Sequence, residues 1–181
     1  VERIVQALDR GDSIWIWGDF DVDGQTSTAI LVESLRRLGG RIEYYVPSRS
    51  ESHGLNVPGI DIISKRGCQL LITCDTGVTA VEEVAHARRL GIDVIITDHH
   101  DLPDTFPDAL AVVNPKRLPE GHAMHALTGA GCAYELVEAL NRRLGHEDLS
   151  DELLDLAAIG LVGDVAELVA ELVGGPPSDE V

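Results

Sequence analysis

The stretch WGDFDVDG, which begins at Trp17, places three aspartates at alternating positions directly after an apolar run. These are Asp19, Asp21 and Asp23. In an extended segment, side chains two positions apart point to the same side, so the three carboxylates can converge on one site. Such carboxylates repel one another unless they are protonated or neutralised, and a divalent cation neutralises them. The alternative interpretation is an acidic turn or helix cap that follows a strand.

Two further apolar runs end in side chains of the same kind. LLITC is followed by Asp75, and VIIT is followed by Asp98, His99 and His100. Each group also has an ordinary interpretation, because an aspartate after a strand commonly caps a helix and a single histidine is commonly a core or surface residue. The joint occurrence of carboxylates and imidazoles after three apolar runs favours a metal site.

The types of these side chains limit the choice of cation. Carboxylates with one or two imidazoles and no thiolate suit Mn²⁺, Fe²⁺ or Zn²⁺, and also Mg²⁺ if the histidines are peripheral. The excess of carboxylates makes Mn²⁺ the first choice. Several acids can bridge two ions roughly 3.5–4 Å apart, an arrangement that stabilises both the attacking and the leaving oxygen in phosphoryl transfer. The residues therefore predict two divalent ions and hydrolysis of phosphoesters.

Three residues outside these groups are candidates for supporting roles. Gly24, followed by QTSTA, predicts either a helix start whose backbone N–H groups bind a phosphate oxygen or an ordinary capped helix. Arg49, in PSRSESHGLN, is a candidate clamp for phosphate, or else an exposed loop arginine. Asp164, in GLVGDVAEL, is interpreted from its spacing alone as a solvated acid at or near the end of a helix.

The elements that must position these residues alternate between short apolar runs and longer amphipathic segments. Strands are predicted over 13–17, 41–46, 69–74, 93–97 and 109–114, and helices over 25–38, 58–66, 79–90, 128–144 and 151–163. This alternation predicts an α/β fold, a doubly wound, mainly parallel five-stranded sheet with helices on both faces and a helical C-terminal part. Because ligands bind at the carboxyl ends of such strands, the chemical groups are expected to meet at one edge.

The composition argues against several classes of protein. The formal net charge is −17, and residues 101–181 carry 16 acidic and four basic side chains. This balance disfavours a basic nucleic-acid clamp, so a polyanionic substrate would need metal ions or another segment to supply positive charge. The three cysteines, Cys68, Cys74 and Cys132, form no CxxC pair and are predicted to be buried small side chains. No apolar run approaches a membrane span, and the expected location is cytoplasmic.

Taken in order, GDFDVDG, ITCDTGV and TDHH, followed by VVNPK and LAAIGLVGDVAEL, resemble the DHH phosphoesterase family, and more narrowly its RecJ-like branch of single-strand-specific exonucleases. Family II pyrophosphatases and small oligonucleotide hydrolases have HxxxDxD at the first motif, whereas Trp17 stands at that histidine position here. The resemblance implies a catalytic domain over residues 1–168 and a flexible tail over 169–181. The DHHA1 and OB-fold domains of the family have no counterpart in this sequence.

The resemblance implies a set of metal ligands, Asp19, Asp21, Asp23, Asp75, His99 and Asp164. Asp75 matches the aspartate that bridges two ions, and Asp19 is the additional acid of the first motif. Asp164 matches the acid of the fourth motif, which replaces the interpretation based on its spacing. Catalytic roles are implied for Asp75 and for His100, which matches the histidine facing the scissile phosphate. Asp98 is then expected to orient an imidazole.

The implied function is Mn²⁺-dependent removal of 5′-mononucleotides from the 5′ end of single-stranded DNA, in recombination and repair. Single-stranded DNA would be the partner, together with the missing domains if the chain is a fragment. Two alternatives remain. One is a DHH-family hydrolase of dinucleotides, short oligonucleotides or pyrophosphate, because the sequence shows no basic channel. The other is a non-catalytic DHH-like scaffold that binds partners through its acidic half.

Overall fold

The computed structural model describes residues 1–48, 51, 54–146 and 151–164. The helices are α1 (Glu2–Arg10), α2 (Val22–Arg37), α3 (Val57–Lys65), α4 (Val81–Arg89), α5 (Gly129–Leu144) and α6 (Leu154–Gly163). The strands are β1 (Ser13–Trp17), β2 (Arg41–Tyr45), β3 (Leu70–Cys74), β4 (Asp93–Thr97) and β5 (Ala111–Val113). Short 3₁₀ helices lie at Pro115–Arg117, Ala123–Ala126 and Asp151–Leu153.

The five strands form one parallel sheet in the order β2-β1-β3-β4-β5. The chain places β2 on one side of β1 and then returns to place β3 on the other side. The order therefore reverses between β1 and β3, and such a switch point leaves a crevice at the carboxyl ends of the two strands. The predicted doubly wound, five-stranded parallel sheet is confirmed.

Both faces of the central strands are covered by helices. Alternate residues of β1 pack into two different cores: Ile14 and Ile16 face α1, α2, α5 and α6, whereas Trp15 and Trp17 face α3 and α4. Every residue of β1 and of β3 is buried, as expected for parallel strands between two helical layers. The two layers hold the carboxyl ends of the strands in fixed positions relative to one another.

The bounds of several elements differ from the sequence prediction. Strands β1 and β4 have the predicted bounds, whereas β2, β3 and β5 are shorter and α1 was not predicted. Helix α2 begins at Val22 instead of residue 25, because the Asp21 side chain accepts a hydrogen bond from Gly24 N and caps the helix. The predicted flexible tail over 169–181 lies outside the described residues.

The remaining composition-based predictions concern cysteines and membranes. All three cysteines are free and buried, as predicted. Burial raises the pKa of Cys68 to about 12, and it raises the pKa of Cys74 to about 12 as well. Within the described ranges, no helix combines the length and the apolar character that a membrane span requires.

Candidate metal centre

The carboxyl ends of β1, β3 and β4 bring the predicted ligands together beside the switch point. Three groups of ligand-type side chains lie there, and within each group the ligand atoms are within 4.8 Å of one another. The groups are Asp19 with Asp21 and Asp75, Asp23 with His99 and Asp164, and Asp75 with His99 and His100. Asp75 and His99 each belong to two groups, so the three groups form one connected centre.

The three aspartates of the first motif divide between two of these groups. Asp19 follows β1 and is buried, and its Oδ1 accepts a hydrogen bond from Phe20 N at 2.7 Å. Asp21 is exposed and caps α2, whereas Asp23 lies inside the first turn of that helix. The expectation that all three point the same way from an extended segment is therefore wrong, because the chain turns into a helix after Asp21.

Asp23 is held by a helix from a distant part of the chain. Its side chain is 2% exposed, and its two oxygens accept hydrogen bonds from Gly129 N at 2.6 Å and Ala130 N at 2.9 Å. Burial raises the pKa of Asp23, and these hydrogen bonds oppose the increase. Gly129 and Ala130 were not predicted as site residues, although the sequence TGAG at the start of a predicted helix was an available signal.

Asp75 occupies an unusual position directly after β3. Among the described residues other than glycine, it has the one positive φ angle, 61°. The side chain is 2% exposed, and no group in the described part of the chain donates a hydrogen bond of acceptable geometry to Oδ1. Nε2 of His99 lies 3.0 Å from this oxygen as an ion-pair contact. Burial raises the pKa of Asp75 to about 7; the contact with His99 opposes the increase, and the nearby Asp23 carboxylate adds to it.

Asp98 follows β4 and is surrounded by hydrogen-bond donors. Its Oδ2 accepts from Val78 N at 2.8 Å, and its Oδ1 accepts from His99 N at 2.7 Å and His100 N at 3.1 Å. Nδ1 of His100 also lies 2.7 Å from Oδ1. Burial alone would raise the pKa of Asp98, but these hydrogen bonds outweigh burial and lower it. The contact with Asp98 raises the pKa of His100 to about 9.

His99 lies between the carboxylates of three different elements. Nε2 is 3.7 Å from Asp23 Oδ2, and Nδ1 is 3.9 Å from Asp164 Oδ2. Asp164 caps the C-terminal end of α6, and its side chain is 37% exposed. Burial alone would lower the pKa of His99, but the carboxylates of Asp75 and Asp23 together raise it above its ordinary value.

The chemistry of this donor set fits divalent cations. Carboxylate oxygens and imidazole nitrogens converge without thiolates, as Mn²⁺ and Mg²⁺ sites require. Oδ1 of Asp75 is a buried acceptor without a hydrogen bond from the described residues, and it is close to another ligand-type atom. A buried carboxylate in this state is costly unless a cation neutralises it.

A cleft of about 430 Å³ opens beside the centre, and a cavity of that size can hold a small ligand. Asp75 and His100 line one part of it, and the loop before α4 lines another. Gly24 is buried, and its N–H already donates to Asp21 at 2.8 Å, so its predicted contact with substrate stays a prediction. Arg49 lies outside the described residues.

The chain is similar to known proteins along most of its length. Residues 13–161 match the model of the DHH family, N-terminal domain. The chain is 44% identical over 168 residues to the single-stranded-DNA-specific exonuclease RecJ of Bacillus subtilis, covering 92% of this chain and 21% of that protein. It is 42% identical over 182 residues to RecJ of Escherichia coli, covering 94% and 32%. The chain therefore spans about a fifth to a third of these relatives.

Solved structures give the same result. A crystal structure of exonuclease RecJ bound to manganese superposes with a TM-score of 0.83 at 38% identity, covering 91% of this chain and 42% of that one. The structure of RecJ in complex with Mn²⁺ from Thermus thermophilus has a TM-score of 0.79 at 36% identity, covering 91% and 23%. The fold and the sequence motifs thus agree with the same group of proteins.

Proposed function

Because the chain belongs to the DHH family, we propose that it is the catalytic part of a divalent-metal-dependent, RecJ-like exonuclease. It would act on single-stranded DNA in the cytoplasm, releasing 5′-mononucleotides from the 5′ end during recombination and repair. The observation that carries the proposal is the arrangement at Asp75. Its buried oxygen faces His99 at 3.0 Å without a hydrogen bond of acceptable geometry, inside a cluster of further carboxylates.

Two divalent ions are proposed, with Mn²⁺ preferred and Mg²⁺ as the alternative. Two groups would hold them, Asp19 with Asp21 and Asp75, and Asp23 with His99 and Asp164. RecJ structures with Mn²⁺ and with Mg²⁺ are among the similar solved structures, which supports this choice. When bound, such ions activate water and withdraw charge from the oxygens of a phosphodiester.

The protein's own groups position the substrate beside this centre. Asp98 holds His100 through Nδ1, which leaves the other ring nitrogen available for a phosphate oxygen in the cleft. A donor fixed in this way stabilises charge that develops on the phosphate, without reorganisation during the reaction. Asp75 serves both sides of the centre, because it belongs to the first motif's group and to the group of the two histidines.

A shorter substrate is the second candidate, and the lining of the cleft favours it. Among the described residues that line the cleft, none is lysine or arginine, and Glu83 contributes a further acid. A long polyanion needs several phosphate contacts from basic side chains, whereas a dinucleotide or short oligonucleotide needs fewer. If the substrate is instead a long strand, basic side chains of segments that the longer relatives contain would supply the phosphate contacts that this cleft lacks.

Metal binding and product analysis test these proposals together. We expect the chain to bind Mn²⁺ in calorimetry, and to release labelled mononucleotide from 5′-labelled single strands only when Mn²⁺ is present. Asp75→Asn should abolish this hydrolysis. Asp9→Asn, which removes an exposed carboxylate just before β1, at the opposite edge of the sheet, should retain it.

Other outcomes separate the alternatives. Faster cleavage of a dinucleotide than of a long strand would support the short-substrate function. Mn²⁺ binding without hydrolysis of any of these substrates would favour the non-catalytic scaffold. Hydrolysis by Asp75→Asn at the wild-type rate would contradict both catalytic proposals.

A further inference from the structure

The first turn of α5 lies against two of the proposed ligands. Gly129 N and Ala130 N donate to different oxygens of Asp23, which is 106 and 107 positions earlier in the chain. The N–H groups of a first helical turn have no acceptor within their own helix, and the dipole of the helix favours a negative charge there. The N-terminal end of α5, a 16-residue helix, therefore binds the Asp23 carboxylate of α2.

The backbone of the same turn also packs directly against the side chain of Asp75. A Cβ atom added to Gly129 would lie 2.6 Å from Cβ of Asp75 and 2.8 Å from its Oδ1. Real Cβ atoms essentially never come this close, so the approach requires glycine at this position. The N–H of Gly129 thus donates to one proposed ligand, Asp23. Because Gly129 has no side chain, its backbone can also lie against a second proposed ligand, Asp75.

Helix α6 closes the opposite side of Asp23. A Cβ atom added to Gly160 would lie 2.4 Å from Cβ of Ala130 and 2.7 Å from Oδ1 of Asp23. Asp23 is therefore enclosed between α5 and α6, in contrast to the exposed Asp21, which accepts a hydrogen bond from its own helix. Gly129 N, Ala130 N and the Thr128 side chain are three donors to Asp23, and since the carboxylate has about four lone pairs, at least one remains that can bind a cation.

We propose that residues 128–130, at the start of α5, are the positioning element of the metal centre. They fix the Asp23 carboxylate and its distance from Asp75, and in this way they set the affinity for a divalent cation. Thr128 contributes by capping the helix, with its hydroxyl accepting a hydrogen bond from Gly131 N at 3.4 Å. The inference rests on the proposed function only in requiring that these ligands bind a divalent cation.

Affinity for Mn²⁺, measured by calorimetry on the full chain, tests this role without relying on activity. Gly129→Ala should lower the affinity by roughly 10- to 100-fold, the range for groups that orient metal ligands. Gly131→Ala is the matched control, because it lies in the same turn and the three atoms nearest to its added Cβ belong to the Leu127 side chain, with Cδ2 nearest at 2.8 Å, and not to a proposed ligand. We expect this control to retain the wild-type affinity.

A second pair of variants tests the same positioning role if Gly129→Ala fails to fold. Thr128→Val removes the hydroxyl cap and should weaken Mn²⁺ binding, whereas Thr128→Ser keeps the hydroxyl and should restore the affinity. Equal affinity of Thr128→Val, Gly129→Ala and the wild type would overturn the positioning role while leaving the proposed function intact. An equal loss in Gly131→Ala would overturn it as well. Failure of the wild-type chain to bind Mn²⁺ would overturn the proposed function itself.

Discussion

Asp75 and Asp98 follow neighbouring strands of one sheet at the same level, yet their surroundings are opposite. Cys74 pairs with Thr97 in the register of β3 and β4, so the two aspartates are the next residues on each strand. They are 2% and 1% exposed. Asp98 accepts hydrogen bonds on both oxygens, whereas Oδ1 of Asp75 accepts none from the described residues.

The difference separates a structural carboxylate from one that suits a metal. A buried charge is costly unless the protein pairs it or supplies hydrogen bonds. At Asp98 the protein does so, and the pKa falls below its ordinary value. At Asp75 the contact with His99 offsets only part of the cost of burial, and burial raises the pKa to about 7. Equal burial therefore does not imply an equal role.

Asp75→Asn should produce the largest effect on metal binding. We expect the affinity for Mn²⁺ to fall by more than about 100-fold, because the change removes a proposed ligand that is shared by two groups. The free energy of unfolding without metal should stay the same or rise by about 1 kcal/mol, since a buried repulsive charge is lost. Calorimetry with Mn²⁺ and urea unfolding in the presence of a chelator measure the two quantities. A clear loss of stability without metal would mean that Asp75, like Asp98, has a structural role, and would contradict the proposed difference between them.

Asp98→Asn should have the opposite pattern. We expect the free energy of unfolding to fall by about 2–4 kcal/mol, because an amide nitrogen at one oxygen position leaves a buried N–H donor unpaired. Urea unfolding measures the loss, with the exposed Asp104→Asn as a control that should stay within about 0.5 kcal/mol of the wild type. If Asp98→Asn were as stable as this control, the hydrogen bonds around Asp98 would not have the structural role assigned to them.

Thr73→Val tests the turn that holds Asp75. The buried Thr73 hydroxyl donates to Thr76 O at 2.7 Å, immediately beyond Asp75. Its removal should cost about 1–2 kcal/mol of unfolding free energy, since the Thr76 carbonyl loses its donor. Thr97→Val removes the corresponding bond to Thr73 O and serves as the comparison. A smaller Mn²⁺ affinity only in Thr73→Val would indicate that this turn positions Asp75.

Thiol labelling should give the smallest signal. Cys74 precedes Asp75, and burial raises the pKa of Cys74 to about 12. Because only the thiolate reacts, we expect almost no labelling of the native protein at pH 8, more labelling as pH rises, and slower labelling in the presence of Mn²⁺. Time courses with a thiol reagent, with urea-unfolded protein as the positive control, check this expectation. Rapid labelling of native Cys74 would mean that the end of β3 opens readily.

The sheet and the edge that holds the candidate site were predictable from local patterns. Each short apolar run is a buried strand, and each chemical group directly follows one, so parallel packing alone brings them together. Helix α1 was missed although Ile4, Val5, Ala7 and Leu8 have helical spacing; its start carries no side-chain cap to mark it. The alternating aspartates of the first motif were interpreted as one extended segment. The helix in fact begins at Val22, because the Asp21 side chain caps it, and local alternation does not reveal this cap.

The division of roles within the site was less predictable. Asp75 and Asp98 look alike in the sequence, since each follows an apolar strand. They differ through the positive φ of Asp75 and through the Val78 N–H, which comes to Asp98 from another loop. The expected contact between Asp98 and an imidazole came from family resemblance, and the structure places His100 there at 2.7 Å. Contacts such as Gly129 with Asp23 depend on packing between distant helices, which local patterns do not contain.

The position of Asp164 at the end of α6 has a consequence for how the protein is made. Asp19 and Asp164 enter the nascent chain roughly 7–30 s apart at ordinary rates of synthesis, about 5–20 residues per second. Parallel strands also pair only after their crossover helices exist, so this topology favours late assembly. A cation can therefore meet the full set of proposed ligands only after Asp164 has left the ribosome. Metal binding would then follow the synthesis of α6 and stabilise the folded arrangement of the elements that carry the proposed ligands.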